Sequence, residues 1–395
     1  MKDIIFIDQT TITNRRILLR VDFNVSLNPD FTISDDVRIK RALPTITYLL
    51  KRHNKLRIIS HLGRPSGRDK QYSLAKVERR LKTFLPDTNI HLIDDFTSNP
   101  PLLDTQTEKE ILLFENIRFY PQEQAGDLSF AKSLATLGDV FVNDAFGVCH
   151  RHDTSVVGIP RFLPSYGGLL LKKEMTMLDR AIDHPKKPVV AIIGGSKITT
   201  KIALLKKLLT LADTVVLGGG LANTFLAATG IEVGKSLYEQ DALSQAASLI
   251  AHAKASHTEL LLPEDIVTGK SMDATESVAK RLTEITASDL ILDLGPETQA
   301  HIGHIIDSAR TIIWNGPVGY IENPIFKRGT DFLYYAITEN QNALSIVGGG
   351  DTLAALSHKE HVDRITHIST GGGAMLSYIE HGTLPGIDAL RKETD

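Results

Sequence analysis

The sequence has a single cysteine, Cys149, so it cannot form an intrachain disulfide bond. It lacks an apolar run near the roughly 20 residues that a membrane span requires, and no charged-then-apolar leader follows Met1. Together these absences predict a cytoplasmic protein with no membrane partner. We interpret Cys149 as a small buried thiol, because nothing else in the chain indicates acyl-enzyme chemistry.

Neither sign of charge dominates the chain. It has 44 lysine and arginine residues against 47 aspartate and glutamate residues, a formal net charge of -3. This balance gives no support to nucleic acid as a partner. The chain has 395 residues, 42% of them hydrophobic and 23% charged. These values are typical of a globular protein, and the length predicts two or three domains of roughly 150 residues each.

Short β-branched runs alternate with helical patterns along the whole chain. Four strands are predicted in the first half, at 16–23, 56–60, 111–114 and 140–143. Six are predicted in the second half, at 189–193, 214–217, 259–262, 290–294, 311–314 and 344–347. Continuous apolar strands that alternate with helices indicate buried parallel sheets. We therefore predict an α/β protein with two doubly wound, Rossmann-like parallel-sheet domains.

The predicted domains are separated by one helical segment. We place the first domain at 1–168 and the second at 188–382, with 169–187 as a linker helix that acts as a hinge. Leu384-Pro385-Gly386 then breaks the chain after the second sheet. Periodicity alone leaves open whether 383–395 packs back on the first domain.

Polar and basic residues follow the four strands of the first half. They are Asp22 and Asn24, His61 and Arg64, Arg118, and His150 and Arg151. In open α/β sheets, ligands bind beyond the carboxyl ends of the strands, and guanidinium groups bind small anions through fixed forks of donors. We therefore predict a site for a small acid at this edge. For single motifs the alternatives are an Asx-turn at Asp22 and a solvated surface loop at 61–64.

Glycine runs follow strands of the second half. They lie at 194–195, 218–220, 348–350 and 371–373. Glycine at a strand-to-helix turn lets backbone N–H groups close on phosphate, so these runs predict a nucleotide site. None of them is a P-loop.

Charged side chains accompany the glycine runs. Lys197 and Lys201 lie four residues apart, which predicts a helix that carries both ammonium groups on one face toward a polyphosphate. The alternative is two exposed lysines on an amphipathic helix. Asp351 follows the third run, where a Mg²⁺ ion that bridges nucleotide phosphates would find a carboxylate. The alternative is that Asp351 and Thr352 cap the next helix. Glu322 is placed to accept hydrogen bonds from ribose hydroxyls.

Three strings in this order and spacing resemble the phosphoglycerate kinase family: Arg-Val-Asp-Phe-Asn-Val at 20–25, Ser-His-Leu-Gly-Arg-Pro at 60–65 and Gly-Gly-Gly-Asp-Thr-Leu at 348–353. The match covers essentially the whole chain. It implies a kinase that reversibly transfers the γ-phosphoryl group of MgATP to the carboxylate of 3-phosphoglycerate, giving 1,3-bisphosphoglycerate and ADP. We separately expect a monomer. Two alternatives stay open, namely a kinase for another small carboxylic acid and a nucleotide-binding homologue with weakened catalysis.

The resemblance also implies roles for single residues. It implies that 3-phosphoglycerate is bound by Asp22, Asn24, Arg38, His61, Arg64, Arg118 and Arg151. It implies that the nucleotide is bound by Lys201, Glu322, Gly349, Gly350, Asp351 and Thr352, and we add the glycine-turn residues Gly218, Gly219 and Asn315. Asp351 is the expected magnesium-linked carboxylate. The transferred phosphoryl group is expected to be stabilised by Arg38, Lys197 and the N–H groups of Gly371, Gly372 and Gly373.

The segment 147–153 departs from the family pattern. The family commonly has Gly-Thr-Ala-His-Arg-Ala-His there, whereas this chain has Gly-Val-Cys-His-Arg-His-Asp. Arg151 is kept, but the hydroxyl lost at Val148 and the acid gained at Asp153 are candidates for weakening or retuning substrate binding. Thr200 replaces the usual aspartate before the second lysine, and Glu264 replaces the usual valine of Leu-Pro-Val-Asp.

Overall fold

Two compact units make up the computed structural model, which describes residues 4–98, 100–348, 352 and 360–391. The first unit comprises Met1–Thr176 and His381–Asp395, and the second comprises Met177–Glu380. Each unit contains a six-stranded sheet in which all neighbouring strands are parallel. Within the described ranges, no helix has the length and apolar character needed to cross a membrane.

The first unit contains strands β1 to β8, at Arg16–Arg20, Ser26–Leu27, Ile33–Asp35, Lys55–Ile59, Asn89–Ile93, Glu110–Phe114, Val140–Asn143 and Ser165–Gly167. Its parallel sheet has the order β5-β6-β4-β1-β7-β8, and β2 pairs with β3 in an antiparallel ribbon. Helices α1 to α5 lie at Val37–Leu50, Ala75–Phe84, Leu102–Thr105, Gln122–Ala125 and Leu128–Ala135. Ile17, Leu18 and Leu19 of β1 are all fully buried. A strand covered on both faces has to be apolar throughout, which explains the continuous runs in the sequence.

The central strands of this sheet end at the same edge. Arg20, the last residue of β1, is in register with Ile59 at the end of β4 and with Asn143 at the end of β7. The chain therefore leaves the sheet at one edge after each of these strands. Side chains that are far apart in sequence can meet there.

Helix α6, Leu169–Ile182, begins in the first unit and ends in the second. Its first turn is anchored by Asp144, whose Oδ1 accepts hydrogen bonds from the amides of Leu170 at 2.8 Å and Leu171 at 3.1 Å. The short helix Pro385–Asp388 belongs to the first unit, where the amide of Gly386 donates to the Cys149 carbonyl at 2.8 Å. Cys149 is buried as expected, and burial raises the pKa of its thiol to about 12.

The second unit contains strands β9 to β17, at Val189–Ile193, Thr214–Leu217, Glu259–Leu261, Asp265–Gly269, Val278–Arg281, Leu290–Leu294, Thr311–Asn315, Leu344–Gly348 and His367–Ser369. Its parallel sheet has the order β11-β10-β9-β15-β16-β17, and β13-β12-β14 form a separate sheet. Helices α7 to α11 lie at Ile202–Leu211, Gly219–Ala228, Leu243–Ala255, Pro296–Ser308 and Arg328–Glu339, and α12 lies at Gly372–His381.

One predicted strand lies in a different sheet from the expected one. Leu290–Leu294 is a strand, but it pairs antiparallel with β12 and does not join the parallel sheet. An apolar run of five residues is compatible with either arrangement, because its pattern reports burial and not the direction of its neighbour.

Candidate active site

The segment after β1 brings Asp22 into a buried charge network. Asp22 Oδ1 accepts from the Asn24 amide at 3.0 Å, which is the Asx-turn that the sequence allowed, and Oδ2 pairs with Arg38. His61 Nδ1 lies 4.0 Å from Asp22 Oδ1. Burial by itself raises the pKa of Asp22, but Arg38, the Asn24 amide and Arg20 outweigh it and lower that pKa to about 2. Asp22 is therefore ionised at neutral pH and orients the Arg38 guanidinium.

His61 is held neutral in the same network. It is buried, and burial together with the positive charges of Arg20 and Arg118 lowers its pKa well below the usual value, although Asp22 opposes the shift. Arg20 is itself fully buried, and its Nε donates to Ser155 Oγ at 2.8 Å. Arg20 thus supports the site from inside the unit and does not present its guanidinium to solvent.

Three strand ends meet at the Gly63 peptide. Asn24 Oδ1, after β1, accepts from the Gly63 amide at 2.8 Å, and Arg118 Nη1, after β6, donates to the Gly63 carbonyl at 2.6 Å. Gly63 has a φ of +63°, and a Cβ there would overlap the ring of Tyr72. Only glycine fits this position without strain. Arg64 follows directly and is exposed.

Arg118 is incompletely paired. Its Nε and Nη2 atoms are buried without a hydrogen-bond partner among the described residues, as are Oδ2 of Asp153 and Nδ1 of His150. Burial lowers the pKa of Arg118, Asp153 opposes that shift, and Arg151 adds to it. Since buried polar groups nearly always have partners, this cluster of unpaired atoms is a candidate place for a polar ligand. The structure thus brings Asp22, Asn24, Arg38, His61, Arg118 and Arg151 to one edge of the sheet.

The glycine segment after β9 does not begin a helix where the sequence predicted one. Residues 199–201 form a turn, and α7 begins only at Ile202. Glu239 holds this turn, because its carboxylate accepts from the amides of Ile198 and Thr199 and from the Thr199 hydroxyl. The prediction that Lys197 and Lys201 share one helical face is therefore wrong.

The two lysines differ in their surroundings. Lys197 is exposed, whereas Lys201 is partly buried, and burial lowers its pKa against the opposing charge of Glu239. The Lys201 ammonium lies close to Gly195, because a Cβ on that glycine would be 3.3 Å from Nζ. Lys201 therefore points back at the glycine turn.

A cleft of about 310 Å³ opens in the second unit beside that turn. Backbone of the glycine turns forms one part of its wall, contributed by Gly195, Gly219, Gly220 and Gly319. The apolar side chains of the wall include Leu237, Met272, Leu290, Leu292 and Tyr320, and Glu322 also lines the cleft. The volume is at the lower end of the range for small-molecule sites. Leu237 and Met272 are notably exposed for large apolar residues, at 57% and 45%, so the cleft has an apolar surface open to solvent.

Some glycines in these runs are needed for close packing of the loops, and not only for contact between backbone and ligand. A Cβ at Gly194 would overlap the Pro317 carbonyl, and one at Gly218 would overlap Val318. The loops after β9, β10 and β15 therefore pack closely only because these positions lack side chains. At Gly373, by contrast, a Cβ would meet no other group of the described chain within 4 Å, so the first turn of α12 is open on that side.

The end of β16 is tied to the end of β15. The Thr352 hydroxyl donates to the Gly348 carbonyl at 2.7 Å and accepts from the Gly316 amide at 3.0 Å, and Asn315 Nδ2 donates to the same carbonyl at 3.2 Å. Asn315 and Thr352 thus fix the neighbouring turns. The predicted residues Gly349, Gly350 and Asp351 lie outside the described residues.

Sequence reasoning missed several residues that form these sites. Glu239 carries no motif, and its role depends on a loop that returns to the turn after β9. Leu237 and Met272 look like ordinary apolar residues, and only their exposure in the cleft distinguishes them.

Comparisons with known proteins agree on one family. The model of the phosphoglycerate kinase family matches residues 7–382. The chain is 43% identical to the phosphoglycerate kinase of Pelotomaculum thermopropionicum over 382 residues, which covers 96% of this chain and 97% of the relative. It is 42% identical to that of Dictyoglomus turgidum over 393 residues, covering 99% of each.

Two solved structures are similar over nearly the whole chain. The phosphoglycerate kinase from Coxiella burnetii superimposes with a TM-score of 0.86 at 38% sequence identity, and that from Pyrococcus horikoshii with a TM-score of 0.79 at 29% identity. Each comparison covers 98% of both chains. The fold similarity therefore includes both units.

Proposed function

This chain belongs to the phosphoglycerate kinase family, and from that membership we propose which of its residues serve the reaction. The chain is a phosphotransferase of glycolysis that moves the γ-phosphoryl group of ATP reversibly to the carboxylate of 3-phosphoglycerate. The observation that carries the residue assignment is the cluster of Asp22, Arg38 and Arg118 at one edge of the first sheet, with buried donors that have no partner among the described residues.

We assign the acid substrate to the edge of the first sheet. Its anionic groups would be bound by Arg38, Arg64, Arg118, Arg151 and the polar groups of Asp22, Asn24 and His61. The neutral state of His61 supports this, because a neutral imidazole can donate one hydrogen bond without adding charge to a crowded site.

We assign the nucleotide to the cleft of the second unit. Its base would lie against the exposed apolar side chains Leu237 and Met272, and Glu322 of the cleft wall would accept from the ribose. Lys201 would face the phosphates, together with the backbone of Gly218 and Gly219. Asn315, Gly349, Gly350 and Thr352 complete the proposed set.

We propose Asp351, together with the phosphates of ATP, as the magnesium site. No cluster of three histidine, cysteine, aspartate or glutamate side chains in the described part of the chain could hold a metal. Mg²⁺ typically keeps several waters and binds one or two carboxylates plus substrate phosphates, so Asp351 together with ATP is a sufficient set. The bound ion would neutralise charge on the phosphates.

The residues indicate catalysis by positioning and charge stabilisation. A substrate carboxylate is already ionised at neutral pH, so its attack needs no general base. Asp22, with its low pKa and its ion pair to Arg38, is poorly suited to be one. Arg38, Lys197 and the N–H groups of Gly371 to Gly373 would face the charge on the three equatorial oxygens of the transferred group.

The proposed domain roles follow from the two sites. Residues 1–168 would bind the acid and 188–382 the nucleotide, with 169–187 as the hinge and 383–395 associated with the first domain. Direct transfer requires both ligands to meet away from water, because water would hydrolyse the acyl phosphate. We further propose that the protein acts as a monomer in the cytoplasm.

Substitution of Lys197 tests this assignment. Lys197→Ala is expected to lower kcat about 100-fold or more, the usual effect of losing one group that stabilises transition-state charge, with the Kd for MgATP changed far less. Lys206→Ala, an exposed lysine of α7, is the matched control and should leave both values unchanged. An unchanged kcat in Lys197→Ala, or a loss confined to nucleotide affinity, would contradict the assigned role.

A further inference from the structure

The segment that departs from the family pattern places an acid beside Arg118. Both residues are buried, with 6% of Arg118 and 5% of Asp153 exposed. Arg118 Nη2 lies 3.8 Å from Asp153 Oδ2, which is close enough for strong electrostatic attraction but too far for a hydrogen bond. The Arg118 Nη1 atom is already used, because it donates to the Gly63 carbonyl.

The two Arg118 nitrogens that lack a hydrogen-bond partner within the described residues are placed to bind one anion. Nε and Nη2 lie on the same edge of the planar guanidinium group. Their two parallel N–H bonds can hold a carboxylate or a phosphate. Both are buried without a hydrogen-bond partner within the described residues, and so is Asp153 Oδ2. Asp153 therefore stands at the same edge that an anion would need.

We propose that Asp153 is the counter-ion of Arg118 in the unliganded protein and that it lowers the affinity of this site for its acid substrate. An anion that takes both free N–H groups must approach a buried like charge. A second buried acid, Glu123, lies close by: burial raises its pKa, Arg20 opposes that shift and Asp153 adds to it. This inference rests on the proposed acid site and identifies a residue that sets its affinity.

Asp153 is expected to act on binding and not on turnover. Asp153 lies beside Arg118, which is proposed to bind the acid. It does not pair with Arg38, which is proposed to stabilise the transferred group and pairs with Asp22. One like charge within roughly 8 Å of the bound anion, even at an effective dielectric constant of about 40, lowers affinity at least about fivefold.

The test compares Asp153→Asn with a matched charge control. Asp94→Asn removes an exposed carboxylate that follows β5 in the same unit and pairs with Arg68 at 2.9 Å, so the net charge changes equally. Calorimetry should show a Kd for 3-phosphoglycerate at least about fivefold lower in Asp153→Asn, with kcat and the Kd for MgATP unchanged. Asp94→Asn should match the unaltered protein.

A second variant, Asp153→His, and a second ligand, inorganic phosphate, test the role of Asp153 independently. Asp153→His places at this position the residue that the family commonly has, and it should lower the Kd for the acid at least as much. A raised Kd in both variants would show that Asp153 holds Arg118 in its binding orientation. An unchanged Kd would show that Asp153 neither orients Arg118 nor lowers its affinity for the acid. Either result overturns the proposal. If 3-phosphoglycerate does not bind the unaltered protein, the proposed function fails, and the same comparison with inorganic phosphate still decides the role of Asp153.

Discussion

Replacement of Asp144 by asparagine should stabilise the first unit, and the gain should depend on pH. Asp144 is fully buried, and its Oδ1 accepts from the amides of Leu170 and Leu171 at the start of α6. Burial raises the pKa of Asp144 to about 6, Thr45 and the two amides oppose the shift, and Glu174 adds to it. Asparagine keeps an oxygen acceptor for the amides and removes the buried charge.

The sign and size of this effect follow from the raised pKa. Between the unfolded value of 3.8 and the folded value of about 6, the folded state binds more protons than the unfolded state. Stability therefore falls as pH rises through this window, and the full cost is present above it. A shift of about two units corresponds to about 3 kcal/mol of unfolding free energy at pH 8, and to little at pH 4.

Urea denaturation of the two proteins at several pH values measures this difference. Asp144→Asn should exceed the unaltered protein by about 3 kcal/mol at pH 8, and the difference should shrink as the pH falls toward 4. The exposed Asp94→Asn variant should show no such trend. A difference that is absent at pH 8, or equal at pH 8 and pH 4, would refute the reasoning.

Two further variants test how the turns are built. Glu239→Ala frees the amides of Ile198 and Thr199, so the Kd for MgATP should rise roughly tenfold. Glu239→Gln keeps one oxygen acceptor and should raise this Kd less. Equal Kd values in the two variants would contradict the role of this carboxylate. Gly63→Ala forces a side chain toward the ring of Tyr72 at a φ of +63° and should destabilise the first unit by about 1–2 kcal/mol, as seen in thermal unfolding. It should also weaken binding of 3-phosphoglycerate and leave the Kd for MgATP unchanged, and a variant with normal stability would refute the strain argument.

Most of the parallel strands could be predicted from the sequence, because buried strands must be apolar throughout. Val140–Asn143 and Val189–Ile193 have the predicted bounds. The strand Asn89–Ile93 was not predicted, since it is a mixed segment that is only partly buried. The antiparallel pairing of Leu290–Leu294 also escaped prediction, because partner and direction depend on segments far away in the chain.

The ligand-facing residues were predictable where chemistry and strand position coincide. Asp22, His61 and Arg118 carry polar or charged groups directly after apolar strands, and the sheet register brings them together. The turn at Lys197–Lys201 was predicted as a helix because local propensity contains no information about Glu239. The pairing of Arg118 with Asp153 likewise needs three-dimensional contacts, since the two residues lie far apart in the sequence.

The most direct test of the central claim is to trap the acyl phosphate. The protein is incubated with MgATP, hydroxylamine and one acid at a time from a panel that includes 3-phosphoglycerate, and the hydroxamate is measured. The assigned function predicts hydroxamate with 3-phosphoglycerate alone, and almost none from Lys197→Ala with the same acid. Hydroxamate with a different acid instead would indicate another carboxylate kinase, and none with any acid would contradict catalysis altogether.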